Sequence, residues 1–347
     1  MTTPLYNAVG LQTQQFSDIK TNLAQLSTAI DLAYAIGSQE LPVKLICLAE
    51  SAIQGFPVGD PPITEIPGPE TAVLGEKAKE LKAYILGQLL FVKMPGIPED
   101  RLFNCLFIID PNGEVIYTRP KCQLEAIEAQ WTTVPHDVWD LWTEHYGNGL
   151  DAFYPVVETE LGNIGCAVCM ERGYPEVVRG LAMNGAEIIY MPTYHEPFSG
   201  NGMYEVLTRA RAFDNTCYVI SPTSGSYLLP GMHAPFDICG GQNLIVDFKG
   251  NVIGRHETTD NSFVCAMIDI ETLRRYRHQV LGIGNPLKDL RTEQYRIIYD
   301  DAIYPKNLRT EGAMPDAAAL EKKEVEILTD NIALLEKKKI YTPPSSR

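Results

Sequence analysis

The chain has 347 residues, 45% of them hydrophobic and 21% charged, which suits one large core or two small ones. Its net charge of −15, with no basic run beyond Lys337-Lys338-Lys339, argues against a nucleic-acid partner, because phosphate binding concentrates Lys and Arg. A membrane partner is not expected either, since no apolar stretch approaches the ~20 residues that span a bilayer.

From Tyr6 the pattern alternates strand and helix. Tyr6 to Leu11 reads as a strand, Asp18 to Ala35 carries helical periodicity, and Val43 to Glu50 is an apolar strand that ends on a carboxylate. Thr71 to Leu81 reads as a helix, followed by strands near Tyr84 to Val92 and Asn104 to Ile109. Pro111-Asn112-Gly113 then turns the chain into Glu114 to Thr118, just before Lys121. Leu244 to Gly254 repeats the pattern of Phe107 to Tyr117: an apolar run, Asp, two turn residues, Gly, a polar residue and Val-Ile. That repetition suggests two related halves packed sheet to sheet, with residues 1–310 as one domain. Residues 311–347 differ. Asp316 to Lys339 is a charged helix pattern, thin in apolar residues, expected to dock on the body or on a neighbouring subunit, and Thr342-Pro-Pro-Ser-Ser should be loose.

The segment Gly162 to Glu176 carries the strongest chemical signal. Ile164 to Val168 is an apolar run, Arg172-Gly173 marks a turn, and Pro175 to Ala182 reads as a helix closed by Asn184-Gly185. Cys169 therefore sits between a strand and a helix, where the helix dipole favours thiolate and the sulfur stays accessible. Cys166 lies three residues earlier inside the strand, so the two sulfurs point to opposite faces and a redox or zinc pair is not expected. Eight cysteines, several within apolar strands, point to reduced thiols. Met1 to Tyr6 has neither the basic start nor the apolar core of a signal peptide, so the expected location is cytoplasmic.

Three useful residues thus end strands: Glu50, Lys121 and Cys169. The words around them resemble the nitrilase, or carbon–nitrogen hydrolase, superfamily, from about residue 5 to about residue 300. Leu45 to Pro57, Ile109 to Lys121, the Cys169 segment and Leu207 to Val219 each resemble a family element, although Pro120 separates Arg119 from the lysine. The resemblance implies an α/β fold, a four-layer α-β-β-α sandwich, and a homo-oligomer built from dimers. It implies Cys169 as nucleophile on a small-molecule amide, Glu50 as base, and Lys121 with a backbone N–H near Met170 as oxyanion donors, with neither metal nor cofactor. A second glutamate is usual after the lysine. Glu125 and Glu128 are available, and a spacing of seven residues selects Glu128.

Met170-Glu171 replaces the Trp-Glu general in nitrilases, which leans toward amides over nitriles. Arg172 matches a position at which carbamoylases grip a substrate carboxylate, and it can equally pair with Glu171 or Glu176. Tyr194 and His195 are expected to line the pocket. The aromatic stretch Trp131, Trp139, Trp142, His145, Tyr146 and Phe153 suits either an acyl-pocket wall or a subunit interface. The rivals are a papain-like Cys–His hydrolase using His195 or His233, and a catalytically silent scaffold.

Overall fold

The computed structural model describes residues 3–55, 62–126, 128–194, 201–235, 241–258 and 261–345. The first half of the chain runs β1 (Tyr6–Gln12), β2 (Gln15–Phe16), α1 (Ile19–Gly37), β3 (Val43–Cys47) and α2 (Pro69–Leu81). β4 (Tyr84–Lys93), β5 (Leu102–Ile109) and β6 (Val115–Pro120) follow, then the short helices α3 (Trp139–Tyr146) and α4 (Leu150–Phe153). The second half runs β7 (Val156–Thr159), β8 (Gly162–Cys166), α5 (Pro175–Met183), β9 (Ile188–Tyr190) and α6 (Met203–Asn215). It continues through β10 (Tyr218–Ser221), β11 (Tyr227–Leu228), β12 (Asn243–Val246), β13 (Val252–His256) and β14 (Ser262–Ile268). Helices α7 (Ile270–Gln279), α8 (Thr292–Arg296) and α9 (Ala317–Lys337) end the described chain. None of the described helices is long and apolar enough to cross a membrane.

Two six-stranded sheets result, ordered β14-β1-β3-β4-β5-β6 and β7-β8-β9-β10-β12-β13. Taken in that order, both have the same sequence of directions: antiparallel, parallel, parallel, antiparallel, antiparallel. The repeated sequence words fall on equivalent hairpins, β5–β6 and β12–β13. In each turn an aspartate accepts two backbone N–H groups: Asp110 from Asn112 and Glu114, Asp247 from Lys249 and Asn251. The glycines Gly113 and Gly250 take φ of 83° and 80°, which a side chain would strain.

Three apolar layers separate four structural ones. Between the sheets lie Ala8, Leu45, Leu86 and Ile108 from the first and Ile164, Cys166, Ile188 and Ile220 from the second. Leu26, Ile30 and Leu74 of α1 and α2 cover the outer face of the first sheet. Val178, Leu181 and Ala212 of α5 and α6 cover that of the second. This is the α-β-β-α sandwich. Strands buried on both faces read as continuous apolar runs, which is why the sequence shows them so clearly.

Boundaries move by a few residues. Asp18 caps α1 by accepting the Thr21 N–H, and the helix runs on to Gly37. β3 stops at Cys47, and β8 covers 162–166 where 164–168 was expected. In both cases the last apolar residues leave the ladder while staying buried, because the chain is turning toward the site. Asp316 likewise caps α9, which docks through Leu320 and leaves Ile332 exposed.

Candidate active site

Glu50 follows β3 at the inter-sheet gap and is 4% exposed. Its carbonyl accepts from Gln15 Nε2 (2.9 Å) and Ser224 Oγ (2.7 Å), which fixes the main chain. Its carboxylate accepts from Asn104 Nδ2 (3.2 Å), from the Tyr194 backbone N–H (2.7 Å) and from the Cys169 thiol. Asn104 is itself oriented: Gln88 donates to its Oδ1 (2.7 Å), while Gln88 Oε1 accepts the N–H of Ser51 (2.8 Å). Burial raises the Glu50 carboxyl above its ordinary pKa. Lys121 and the hydrogen bonds from Cys169 and Asn104 oppose that shift, and Glu128 adds to it.

Lys121 arrives by strand alternation. Tyr117, Arg119 and Lys121 are two residues apart, so all three enter the gap between the sheets, and all three are buried. The Lys121 backbone N–H donates to the Asn104 carbonyl (2.7 Å), and its Nζ donates to Glu128 Oε1 (2.5 Å). Burial works against the ammonium, but Glu128, Cys169 and Glu50 together raise its pKa and keep it charged. Glu128 opens a single 3₁₀ turn (Glu128–Gln130), and its other oxygen accepts the Glu125 N–H (2.9 Å). Of the two glutamates available in this loop, Glu128 reaches Lys121 and Glu125 is exposed.

Cys169 sits at the elbow after β8. Its φ is +53°, a left-handed conformation that costs a non-glycine residue about 1–2 kcal/mol and persists only when its surroundings enforce it. The enforcement is visible. Cys169 N–H donates to the Pro192 carbonyl (2.8 Å), and a 3₁₀ turn begins at Cys169 and runs to Gly173. Glu171 in that turn accepts from Val168 N–H (2.8 Å), from Cys122 N–H (2.7 Å) and from both arms of Arg119 (2.8 and 2.9 Å). Met170 lies in the first turn of this 3₁₀ helix, where a backbone N–H has no acceptor within the helix.

The expected substrate contacts fall in varied surroundings. Arg172 is fully buried. Its guanidinium donates to the Cys169 carbonyl (3.2 Å), Thr208 Oγ1 (2.8 Å) and Ser221 Oγ (3.2 Å), and lies 4.3 Å from the Tyr204 ring centre. Its expected alternative partner, Glu171, is taken by Arg119, and Glu176 by the Tyr299 hydroxyl. Tyr194 reaches the site through its backbone N–H, while its ring packs on Tyr227. His195 lies outside the described residues, and His233 is exposed. The aromatic stretch divides. Trp142 is buried core against Phe103 and Tyr146, whereas Trp139 stacks on Phe153 (5.0 Å) and with it walls a cavity of about 240 Å³. Tyr154, Tyr174 and Tyr304 also line that cavity, but Glu50, Lys121 and Cys169 do not.

Asn104, Gln88 and the Arg119–Glu171 pair escaped sequence reasoning. Their signal was present: Gln88 and Asn104 interrupt the apolar runs of β4 and β5, and a polar residue buried in such a run requires a partner.

A thiol, a carboxylate whose proton affinity is raised, and a charged ammonium thus meet where the two charged groups are buried and the thiol is half-buried. That set can attack an electrophilic carbon, move a proton and stabilise an oxyanion. The family model described as carbon-nitrogen hydrolase matches residues 8–278. A protein named probable hydrolase nit2 from Schizosaccharomyces pombe is 31% identical over 190 residues, 54% of this chain and 64% of that protein. A deaminated glutathione amidase from Mus musculus is 28% identical over 181 residues, and the chain spans only 52% of its length. One of the same name from Synechocystis is 26% identical over 285 residues, 79% of this chain and 96% of that protein. Among solved structures, an amidase from Nesterenkonia superposes with a TM-score of 0.61 at 18% identity, covering 86% of this chain and 97% of that one. Nit3 of Saccharomyces cerevisiae, a member of branch 10 of the nitrilase superfamily, does so at 0.63 and 18%, covering 81% and 96%. At such identity these two superpositions speak to the fold.

Proposed function

Because the chain belongs to the carbon–nitrogen hydrolase family, we propose that it hydrolyses a non-peptide amide through a thioester on Cys169. The supporting observation is the convergence of the Cys169 thiol on Glu50, beside a buried Lys121 whose charge Glu128, Cys169 and Glu50 sustain.

The thiol gives its proton to Glu50 as sulfur attacks the amide carbon. The carbonyl oxygen, now negative, is held by Lys121 and the Met170 N–H. Glu50 passes the proton to the leaving nitrogen, the C–N bond breaks, and ammonia or an amine departs. Water then gives one proton to Glu50 while its oxygen attacks the thioester, and that proton returns to sulfur as the acid leaves. A carboxyl with a raised pKa suits both directions of transfer, since it accepts from a thiol and still donates to an amine.

The substrate class follows the amide reading. The Arg172 guanidinium donates to Thr208 and Ser221, so it lends no support to an N-carbamoyl amino acid as substrate. A dimer-based oligomer belongs to the same proposal. Leu281, Ile283, Ile297 and Ile298 are exposed apolar side chains that a second copy would cover, and the mass in solution tests this.

The deciding experiment measures ammonia or amine release from short amides, deaminated glutathione, N-carbamoyl amino acids and nitriles, using wild type and Cys169→Ala. Release by wild type alone, greatest on an amide, is the expected result. Equal release by both proteins rules out the Cys169 mechanism, and a carbamoyl compound or nitrile as best substrate overturns the amide assignment.

A further inference from the structure

The family match ends at residue 278, yet chain well beyond it returns to the active-site loop. Asn307 N–H donates to the His136 carbonyl (3.1 Å), Arg309 N–H to the Asp137 carbonyl (2.8 Å), and Asn307 Oδ1 accepts the Asp140 N–H (2.9 Å). Arg309 is 6% exposed, and its guanidinium is spread over one loop. One terminal nitrogen donates to the Thr132 carbonyl (2.6 Å) and Thr133 Oγ1 (3.1 Å), the other donates to the Ala129 carbonyl (3.0 Å), and Nε faces Asp137 Oδ2 (3.4 Å). Arg101 holds this strap in turn, donating through Nε to the Arg309 carbonyl (2.7 Å) and through a terminal nitrogen to the Gly312 carbonyl (2.6 Å).

The loop so gripped is the one that carries Glu128. Trp131 and Thr132 N–H groups both donate to the Glu128 carbonyl (2.9 and 3.0 Å), closing the turn. The carbonyls at the far end of such a turn have no acceptor role within it and need outside donors. Arg309 supplies them at Ala129 and Thr132. A planar fork with donors on three nitrogens can meet these directions at once, and an ammonium cannot. The clasp adds to the bonds from Lys121 and the Glu125 N–H that hold Glu128, a carboxylate that is 22% exposed and for which water competes.

We propose that Arg309 is a positioning residue for the active site, holding the turn that presents Glu128 to Lys121, so that the C-terminal strap is a working part of the catalytic apparatus. This rests on the reading of Glu50, Lys121 and Cys169 given above.

The test needs no substrate. The rate of alkylation of the Cys169-containing peptide by iodoacetamide is followed by mass spectrometry against pH, in wild type, Glu128→Gln, Arg309→Met and the double variant. Removing the Glu128 charge leaves Lys121 less compensated beside the sulfur, so Glu128→Gln should lower the alkylation midpoint by about one pH unit. Arg309→Met should shift it in the same direction by about half as much, and the double variant should match Glu128→Gln alone. Direct loss of a cation near the sulfur would raise the midpoint, so the sign separates the two routes. An unmoved or raised midpoint in Arg309→Met, or a full additional shift in the double variant, overturns the proposal while leaving the site reading intact. An unmoved midpoint in Glu128→Gln sinks the site reading and the proposal with it. Arg309→Lys, which keeps the charge and loses the fork, carries the same test if the methionine variant does not fold, with a downward shift again expected.

Discussion

Two ion pairs, at Arg119 on β6 and at Lys121 just beyond its end, stand two residues apart and are built differently. Arg119 meets Glu171 through two parallel bonds, both side chains are 0% exposed, and the remaining acceptor capacity of Glu171 is filled by backbone N–H groups of Cys122 and Val168. Lys121 meets Glu128 at a single point, the glutamate is 22% exposed, and a second carboxylate and a thiol share the ammonium. The first pair is closed. It ties the strand that carries Lys121 to the elbow that carries Cys169, and has nothing left to offer a substrate. The second is deliberately incomplete, and incompleteness is what leaves charge available for a reaction.

That contrast predicts where activity and stability part company. Cys169→Ala and Glu50→Gln should each abolish turnover, yet Glu50→Gln should raise the melting temperature at neutral pH. The Glu50 carboxyl is raised in the folded protein, so its contribution is fully present below the unfolded carboxylate pKa and is lost as pH rises through the folded value. Glutamine removes that loss, so the gain over wild type should grow as pH rises from the unfolded carboxylate pKa through the folded value. A variant that is destabilised at every pH would show that the Glu50 charge is better satisfied than its burial implies. Lys121→Met should lower kcat about 100- to 1000-fold, the usual effect of one oxyanion donor. Its cost in stability should be smaller than for the neighbouring pair, since Glu128 can turn toward water.

Breaking the closed pair should do the reverse. Arg119→Met leaves the fully buried Glu171 without its counter-ion and should cost about 3–5 kcal/mol of stability in denaturant unfolding. Adding Glu171→Met should recover only part of that stability, since it removes the stranded charge but leaves the Cys122 and Val168 N–H groups without their acceptor. It should not recover turnover, because Glu171 also anchors the backbone on both sides of the gap at Cys122 and Val168. Recovery of both would mean that the elbow holds itself.

The sequence made different parts of this design legible to different degrees. β3, β8 and the β5–β6 hairpin announce themselves, because strands buried on both faces are apolar throughout and Asp-x-x-Gly turns carry their own geometry. Glu50, Lys121 and Cys169 were legible as chemistry at strand ends. What pairs them was not, since Glu171 reaches Arg119 across 52 positions and Tyr194 contributes a backbone N–H that any residue would have. Arg172 shows the limit most clearly. Its spacing from Cys169 suggested either a substrate contact or an internal ion pair, and neither reading named Thr208 and Ser221, distant in sequence, to which the guanidinium donates. Arg309 left no local signal at all, because its partners are mostly main-chain carbonyls, which every sequence offers equally.

A third pair lies between the two extremes and gives the smallest effect. Asp137 faces Arg309 Nε at one point, 3.4 Å away, and its other oxygen is buried without a hydrogen-bond partner. Burial pushes this carboxyl up to about 6, against the pull of Arg309. The sign is the same as for Glu50: the contribution is complete below the unfolded carboxylate pKa and is lost as pH rises through 6. Wild type should therefore lose about 2 kcal/mol of stability between pH 4 and pH 7 through this group, and Asp137→Asn should flatten that part of the profile. Because Arg309 keeps its bonds to Ala129 and Thr132, the variant should retain turnover. A large loss of turnover in Asp137→Asn would mean that the aspartate, rather than the loop carbonyls, is what seats the arginine, and would move the strap from the closed kind of contact to the open one.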